Sequence, residues 1–400
     1  MAVGVKMDEF QIGVKNYDSD WLFKYGFSPQ EAAGILKDWG VNFVLAQNRY
    51  LQMPDSAVNS MTLPDDDEKY THQTDKEFRN ALSEVGIKYW ATVCTFFNPE
   101  AINQNPEYRP IGSDGLPMEM IDWYIGIPPS IQQFVQSQVV QIKKAAKELQ
   151  PDGIFLSFTR WPGFWELWMP ENRQTDFPEY SFDPQTIRLF EKDTGIKFPD
   201  LESSKRAEWI ENNFSDQWIN WKCNLVVDVI RQVKEACHHE LPGVKIMLNT
   251  IPFQYKDYDN AREKVFGQKI ELLKDVVDIF EVMTYHQILK RPLQWMAEAG
   301  AEVKTRSDRK TVCTIQAEPL YLDGIHAKEE RSPTITDSEF REALEIIEAE
   351  GLDGVVVFVW SDLLKDVYLN NNRNKIRSIT TTVEKRKQRL EKNHNGDPRP

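Results

Sequence analysis

Eight apolar segments of strand length, separated by amphipathic helical stretches, constrain the fold of this chain more than any other feature. They read QIGVK (11 to 15), NFVLAQ (42 to 47), KYWATVCTF (88 to 96), DGIFLSF (152 to 158), VKIMLNT (244 to 250), VDIFEVMTY (277 to 285), TVCTIQA (311 to 317) and DGVVVFVW (353 to 360). A segment that is apolar almost without alternation is covered on both faces, as in a parallel sheet flanked by helices. Strand and helix in alternation define βα units, and eight such units close a barrel. The sequence therefore predicts an α/β fold, a (β/α)8 barrel, over residues 1 to 380 as one domain. A charged helix end and a disordered tail are expected over 381 to 400.

The punctuation between the strands agrees with this reading. SPQEAAGILKDWG begins on Ser28, a capping residue, carries Pro29 in its first turn and ends on Gly40. SPTITDSEFREALEIIEAEG runs into Gly351 and the last strand. PDGIFL, VVDIFEV and LDGVVVF each set an Asp before an apolar run, a loose internal repetition. Long segments follow strands 2, 3 and 4 (48 to 73, 97 to 128 and 159 to 207), rich in Pro, Asn, Asp and aromatics. In a barrel these share the C-terminal face, where sites are built.

Charge and cysteine usage exclude several functions. With a net charge of -14 over 400 residues, the summed field repels a phosphate backbone, so nucleic acid is not an expected partner. No apolar run is long enough to span a membrane, and MAVGVKMDEFQIGVKNY lacks a basic region followed by an apolar core. A soluble protein is expected, cytoplasmic or exported with its leader removed. Cys94, Cys223, Cys237 and Cys313 show no C-x-x-C spacing and read as buried reduced thiols. No glycine-rich phosphate loop follows a strand, and the run Cys237 to Glu240 (CHHE) points its side chains in different directions, so neither a metal nor another cofactor is expected.

Function in such a fold is carried by the ends of the strands. These supply Lys15, Asn48, Arg49, Arg160, Trp161, Asn249, Tyr285, His286, Gln316, Glu318, Trp360 and Asp362. Aromatic faces beside amides and carboxylates suit a sugar, whose ring stacks on flat apolar surfaces while its hydroxyls need donors and acceptors. WPGFWELW (161 to 168) holds four aromatics and Glu166, as a binding platform or as a small core beneath a loop. Cleavage of a glycosidic bond needs two carboxyl groups, and the candidates are Glu281, Glu318 and Glu166. Alternation puts Glu281, Met283 and Tyr285 on one side of strand 6; if that side is the interior, Glu281 is a buried acid that Lys15 can pair with. Asp362 serves either the site or the first turn of the last helix. The basic groups Lys15, Arg49, Arg160 and His286 either bind an acidic sugar through bidentate contacts or pair with these carboxylates.

The stretch DGIFLSFTRWP resembles the fourth strand of a group of TIM-barrel glycoside hydrolases, relatives of the chitinase and α-amylase barrels. Their pattern D-x-I-x-x-D-Y-x-R-[FY]-P is matched by Asp152, Ile154, Arg160 and Pro162. The likeness extends over strands 4 to 8 through VMTY ending at Tyr285, Gln316 in TIQAE, Trp360 at the end of strand 8, and the segments YSFDPQTIRLFEKDTGI and WINWKCNLVVDVIRQVKEA. The departure is at Ser157, which stands where these families carry an acid, and the chitinase pattern D-x-x-D-x-D-x-E fails at Phe155, Ser157 and Thr159. The resemblance implies a glycosidase acting on a complex saccharide, with an acidic sugar left open. Its acids would come from Glu318 and Glu281 or from Glu166. Arg160, Asn249, Tyr285 and His286 would position the sugar, and Trp161 and Trp360 would form a floor. The alternatives are a carbohydrate-binding barrel without catalysis, or a lyase or isomerase of uronic sugars with Tyr285 or His286 as base.

Overall fold

In the computed structural model, which describes residues 10 to 54 and 69 to 395, eight parallel strands close into a barrel in sequence order. They are β1 (Gln11–Asn16), β2 (Phe43–Ala46), β3 (Lys88–Cys94), β4 (Gly153–Ser157), β5 (Lys245–Thr250), β6 (Ile279–Val282), β7 (Lys310–Gln316) and β8 (Gly354–Phe358). The pairing of β8 with β1 completes the ring. Strand 6 stops earlier than its apolar run predicts: the amides of Thr284 and Tyr285 turn to the carbonyls of Val282 and Met283 and leave the ladder.

Helices cover the outside of the barrel. The helix Pro29–Asp38 starts with a reciprocal capping box between Ser28 and Glu31, a device worth about 1 kcal/mol. Thr336 and Glu339 repeat it ahead of Asp337–Ala349. Behind β4 lies Ser203–His238, broken at Phe214 where the backbone leaves helical angles. The last helix is Asn374–Asn395 and enters the region 381 to 400, where a charged helix end and a tail are expected. Residues 396 to 400 lie outside the described residues, as do 1 to 9 and much of the segment after β2. All four cysteines are free and buried. Among the described residues no helix is long and apolar enough to cross a membrane.

The Asp repetition seen in the sequence has a structural cause. The residue just before β4, β6 and β8 is Asp152, Asp278 or Asp353, and its carboxylate accepts a hydrogen bond from the second residue of the preceding strand. The bonds run from the amides of Tyr89 at 2.9 Å, Ile246 at 2.9 Å and Thr311 at 2.8 Å. Asn42, before β2, does the same for Ile12 at 2.7 Å. Each of the four also donates its own amide to the carbonyl of that same partner. One two-bond clasp therefore fixes the register of every odd strand with the even strand that follows.

Toward the N-terminal end of the barrel, rings lie over glycines beside a pocket of about 210 Å³ lined by Phe43, Trp90 and Met247. An added Cβ on Gly13 would meet the Phe43 ring at 2.3 Å, and one on Gly153 the Trp90 ring at 2.3 Å. Larger residues there would overpack the interior. At the C-terminal end a second cavity is walled mainly by aromatic and aliphatic side chains, with Lys15, Arg160, Glu166 and Asn249 among them.

Candidate active site

The mouth of the barrel encloses a cavity of about 70 Å³. Its floor comes from strand ends, Lys15, Ser157, Asn249, Met283, Tyr285 and Phe358, and its walls from loops, chiefly Trp123, Phe158, Arg160, Trp165, Glu166 and Tyr321.

Beneath the floor sits a buried ion pair. Lys15 Nζ lies 3.2 Å from Glu281 Oε1, with side-chain exposures of 2% and 0%, and donates to the Tyr285 hydroxyl at 3.0 Å. The other carboxylate oxygen, Oε2, accepts from Asn249 Nδ2. Burial pulls the Lys15 ammonium below its ordinary range while the charge of Glu281 opposes that pull. Burial, and then Glu281, push the Tyr285 phenol well above its own. Strand alternation accounts for the meeting: Glu281 on β6 and Asn249 on β5 are paired in register, and both face inward.

The wall carries a carboxyl with a different environment. At the exit of β4, Phe158 takes a left-handed backbone with φ 55°, a strained conformation for a bulky residue. Regular alternation ends there, and Arg160 rather than Trp161 turns into the cavity. A single 3-10 turn, Trp165–Leu167, then brings in Trp165 and Glu166. Trp165 stacks on Tyr285 with ring centroids 5.9 Å apart. Burial raises the Glu166 carboxyl to about 7 against the opposing pull of Arg160, and among the described residues its Oε2 has no hydrogen-bond partner. Arg331 holds this turn by donating to the Glu166 carbonyl at 2.6 Å, while also donating to Ile288 at 2.7 Å and Tyr321 at 3.0 Å.

At the rim stands Asp122, 41% exposed, next to Trp123 and with φ 54°. Its Oδ2 is 3.2 Å from Nε2 of the buried His326, whose ring lies 4.3 Å from that of Tyr321. Asp122 is near enough to Glu166 to raise that carboxyl's proton affinity. The sequence singled out none of Asp122, Trp123, Tyr321 and His326, because none of them falls at the end of an apolar strand run.

Of the residues expected from the sequence, Lys15, Arg160, Glu166, Asn249 and Tyr285 meet at the cavity, with Glu281 just beneath. The others have different surroundings. Glu318 leaves the strand 7 mouth sideways, 3.5 Å from Lys365 and 3.7 Å from Lys375. Asp362 accepts from the Val359 amide at 3.5 Å in the first turn of the helix after β8, and burial, then Glu318, raise it to about 7. Arg49 Nε donates to the Tyr70 carbonyl at 3.1 Å, and Asn48 closes its own turn by accepting from the Leu51 amide at 3.0 Å. Trp161 donates to the Lys222 carbonyl at 3.2 Å beneath the long helix, and Trp360 stacks on Phe78 and Trp21 outside the barrel. Gln316 donates to Gln287 at 3.1 Å. His286 is buried away from the cavity, and desolvation lowers its proton affinity.

No family model matches the chain, and no curated protein matches it either. Solved structures do. The PgaB (BpsB) glycoside hydrolase domain from Bordetella bronchiseptica superposes with TM-score 0.65 at 13% identity, over 92% of this chain and 99% of that one. The β-galactosidase from Halorubrum lacusprofundi gives TM-score 0.61 at 11% identity, over 94% of this chain and 57% of the other. The β-amylase catalytic domain from Paenibacillus polymyxa gives 0.56 at 12%, over 89% and 94%. The chain thus has the barrel fold of these glycoside hydrolases.

Proposed function

We propose that this protein is a glycosidase that cleaves a poly- or oligosaccharide bearing acidic units at the mouth of its barrel. The observation that carries the proposal is Glu166, a carboxyl that lines the cavity among aromatic rings with a raised affinity for its proton. Near neutral pH such a group holds a proton to give to the leaving oxygen. The fold it shares with glycoside hydrolases supports the same reading. Trp123 and Trp165 offer flat faces to the sugar ring.

The second carboxyl is Asp122 or Glu281. Asp122 reaches solvent at the rim, and we assign it the activation of water. Glu281 is enclosed by Lys15 and Asn249, and its negative charge lies below the ring that becomes cationic in the transition state. Lyase or isomerase chemistry is less well served: the Tyr285 phenol keeps its proton and accepts from Lys15, and His286 does not line the cavity. A binder without catalysis is the second reading, favoured by Ser157, whose hydroxyl lies 3.5 Å from Asn249 Oδ1 and which stands where the families that strand 4 resembles would carry an acid.

Release of reducing ends from a panel of neutral and acidic polysaccharides tests these readings. Glu166→Gln is expected to lower kcat by about 10²- to 10⁴-fold, and the parent's activity to fall as pH rises above about 7 and Glu166 loses its proton. Asp122→Asn lowers kcat as well, whereas Glu318→Gln keeps it. Binding with no product from any polysaccharide favours the binder, and an unsaturated product favours the lyase.

A further inference from the structure

Arg160 is a cation of the cavity that lacks an ion-pair partner among the described residues. It is 2% exposed and lines the cavity. Its guanidinium lies 5.0 Å from the centre of the Phe158 ring and 5.8 Å from that of Tyr124, and those two rings are themselves stacked, 20° from parallel. Among the described residues it has no ion-pair partner, and its Nε is buried with no hydrogen-bond partner. Lys15, the other cation of the cavity, is balanced by Glu281 at 3.2 Å. A guanidinium cannot shed its charge, so burial without a counter-ion costs free energy unless a ligand supplies one.

We propose that Arg160, seated beside the Phe158 and Tyr124 rings, is the subsite that reads a carboxylate on the sugar bound in this cavity. The proposal rests on the glycosidase reading of the same site and names its substrate class, a uronic acid unit. The planar fork of a guanidinium matches a planar carboxylate through two parallel hydrogen bonds, and the flat ring faces beside it suit a flat group. Because the whole chain carries -14, recognition of an acid depends on this local cation rather than on the general field.

The subsite is coupled to the proton donor. Glu166 is faced by Arg160 and Arg331, which lower its proton affinity, and by Asp122, which raises it; Tyr124, Tyr285 and Tyr321 also adjoin it. A carboxylate on Arg160 cancels the stronger of the two opposing cations. Glu166 then holds its proton more tightly, so the acid is loaded when the acidic sugar arrives.

Calorimetric titration of the Glu166→Gln protein with oligogalacturonate and oligoglucuronate, each beside its methyl ester, tests the subsite without turnover. The acid form is expected to bind about tenfold or more tightly than the ester, with the difference lost on adding Arg160→Gln. The comparison of acid with ester needs no change at Arg160, so it stands even if that variant fails to fold. Equal binding of acid and ester, tighter binding of a sulfated neutral oligosaccharide, or a preference that survives Arg160→Gln in a protein with parental thermal unfolding overturns the subsite. If a neutral polysaccharide is cleaved and no acid preference is found, the subsite falls and the glycosidase stands. In the parent, binding of monomeric galacturonate at neutral pH takes up protons, measured in buffers of different ionisation enthalpy. Uptake that persists unchanged in Glu166→Gln overturns the coupling.

Discussion

Glu281 and Glu166 are both buried, yet among the described residues only the first has an ion-pair partner. Lys15 stands 3.2 Å from one oxygen of Glu281 and Asn249 donates to the other, while among the described residues Oε2 of Glu166 has no hydrogen-bond partner. Removing one member of a buried pair strands the other, which costs about 3–5 kcal/mol, whereas replacing both by apolar groups is often neutral. Lys15→Met is therefore expected to lose about that much in urea unfolding, and Lys15→Met with Glu281→Leu to recover most of it. An equal loss in the double variant would mean that the pair does not govern this site's stability. The sequence made Glu281 and Lys15 legible, because strict alternation fixes which side of a strand each occupies. It could not separate Arg160 from Trp161, since the left-handed backbone at Phe158 breaks the alternation just before them. Glu318 was legible as a strand-end acid, but its partners Lys365 and Lys375 come from helices much later in the chain.

At the level of elements, the clasps before the even strands explain why the barrel closes in one register. A one-residue slip would turn every inward side chain outward, including those that build the floor of the cavity. The carboxylate of Asp353 receives the Thr311 amide and lies 2.9 Å from Lys304. Asp353→Ala is expected to destabilise the fold by about 1–3 kcal/mol by leaving that amide unpaired, with Asp353→Asn losing less, both read from chemical denaturation. Equal losses would assign the role of Asp353 to its charge instead. The sequence displayed these residues as a faint repetition. Their purpose became visible only when odd and even strands were seen side by side.

For the whole molecule, eight strands and their order were legible because apolar runs and helical stretches alternate along the entire chain. The walls of the cavity were not, since Asp122, Trp123 and Tyr321 are brought together by loops after different strands. The net charge of -14 and Arg160, which has no ion-pair partner among the described residues, form a contrast on which the proposed activity depends, and in that proposal Glu166 turns binding into cleavage. The central claim is that this carboxyl is protonated near neutral pH in the folded protein. Carbon NMR of protein labelled at glutamate side-chain carboxyls, followed through a pH titration, tests it without knowledge of the sugar. One signal titrating at about 7 and missing from Glu166→Gln is the expected result. A Glu166 signal titrating in the ordinary glutamate range, about 4–5, would contradict it.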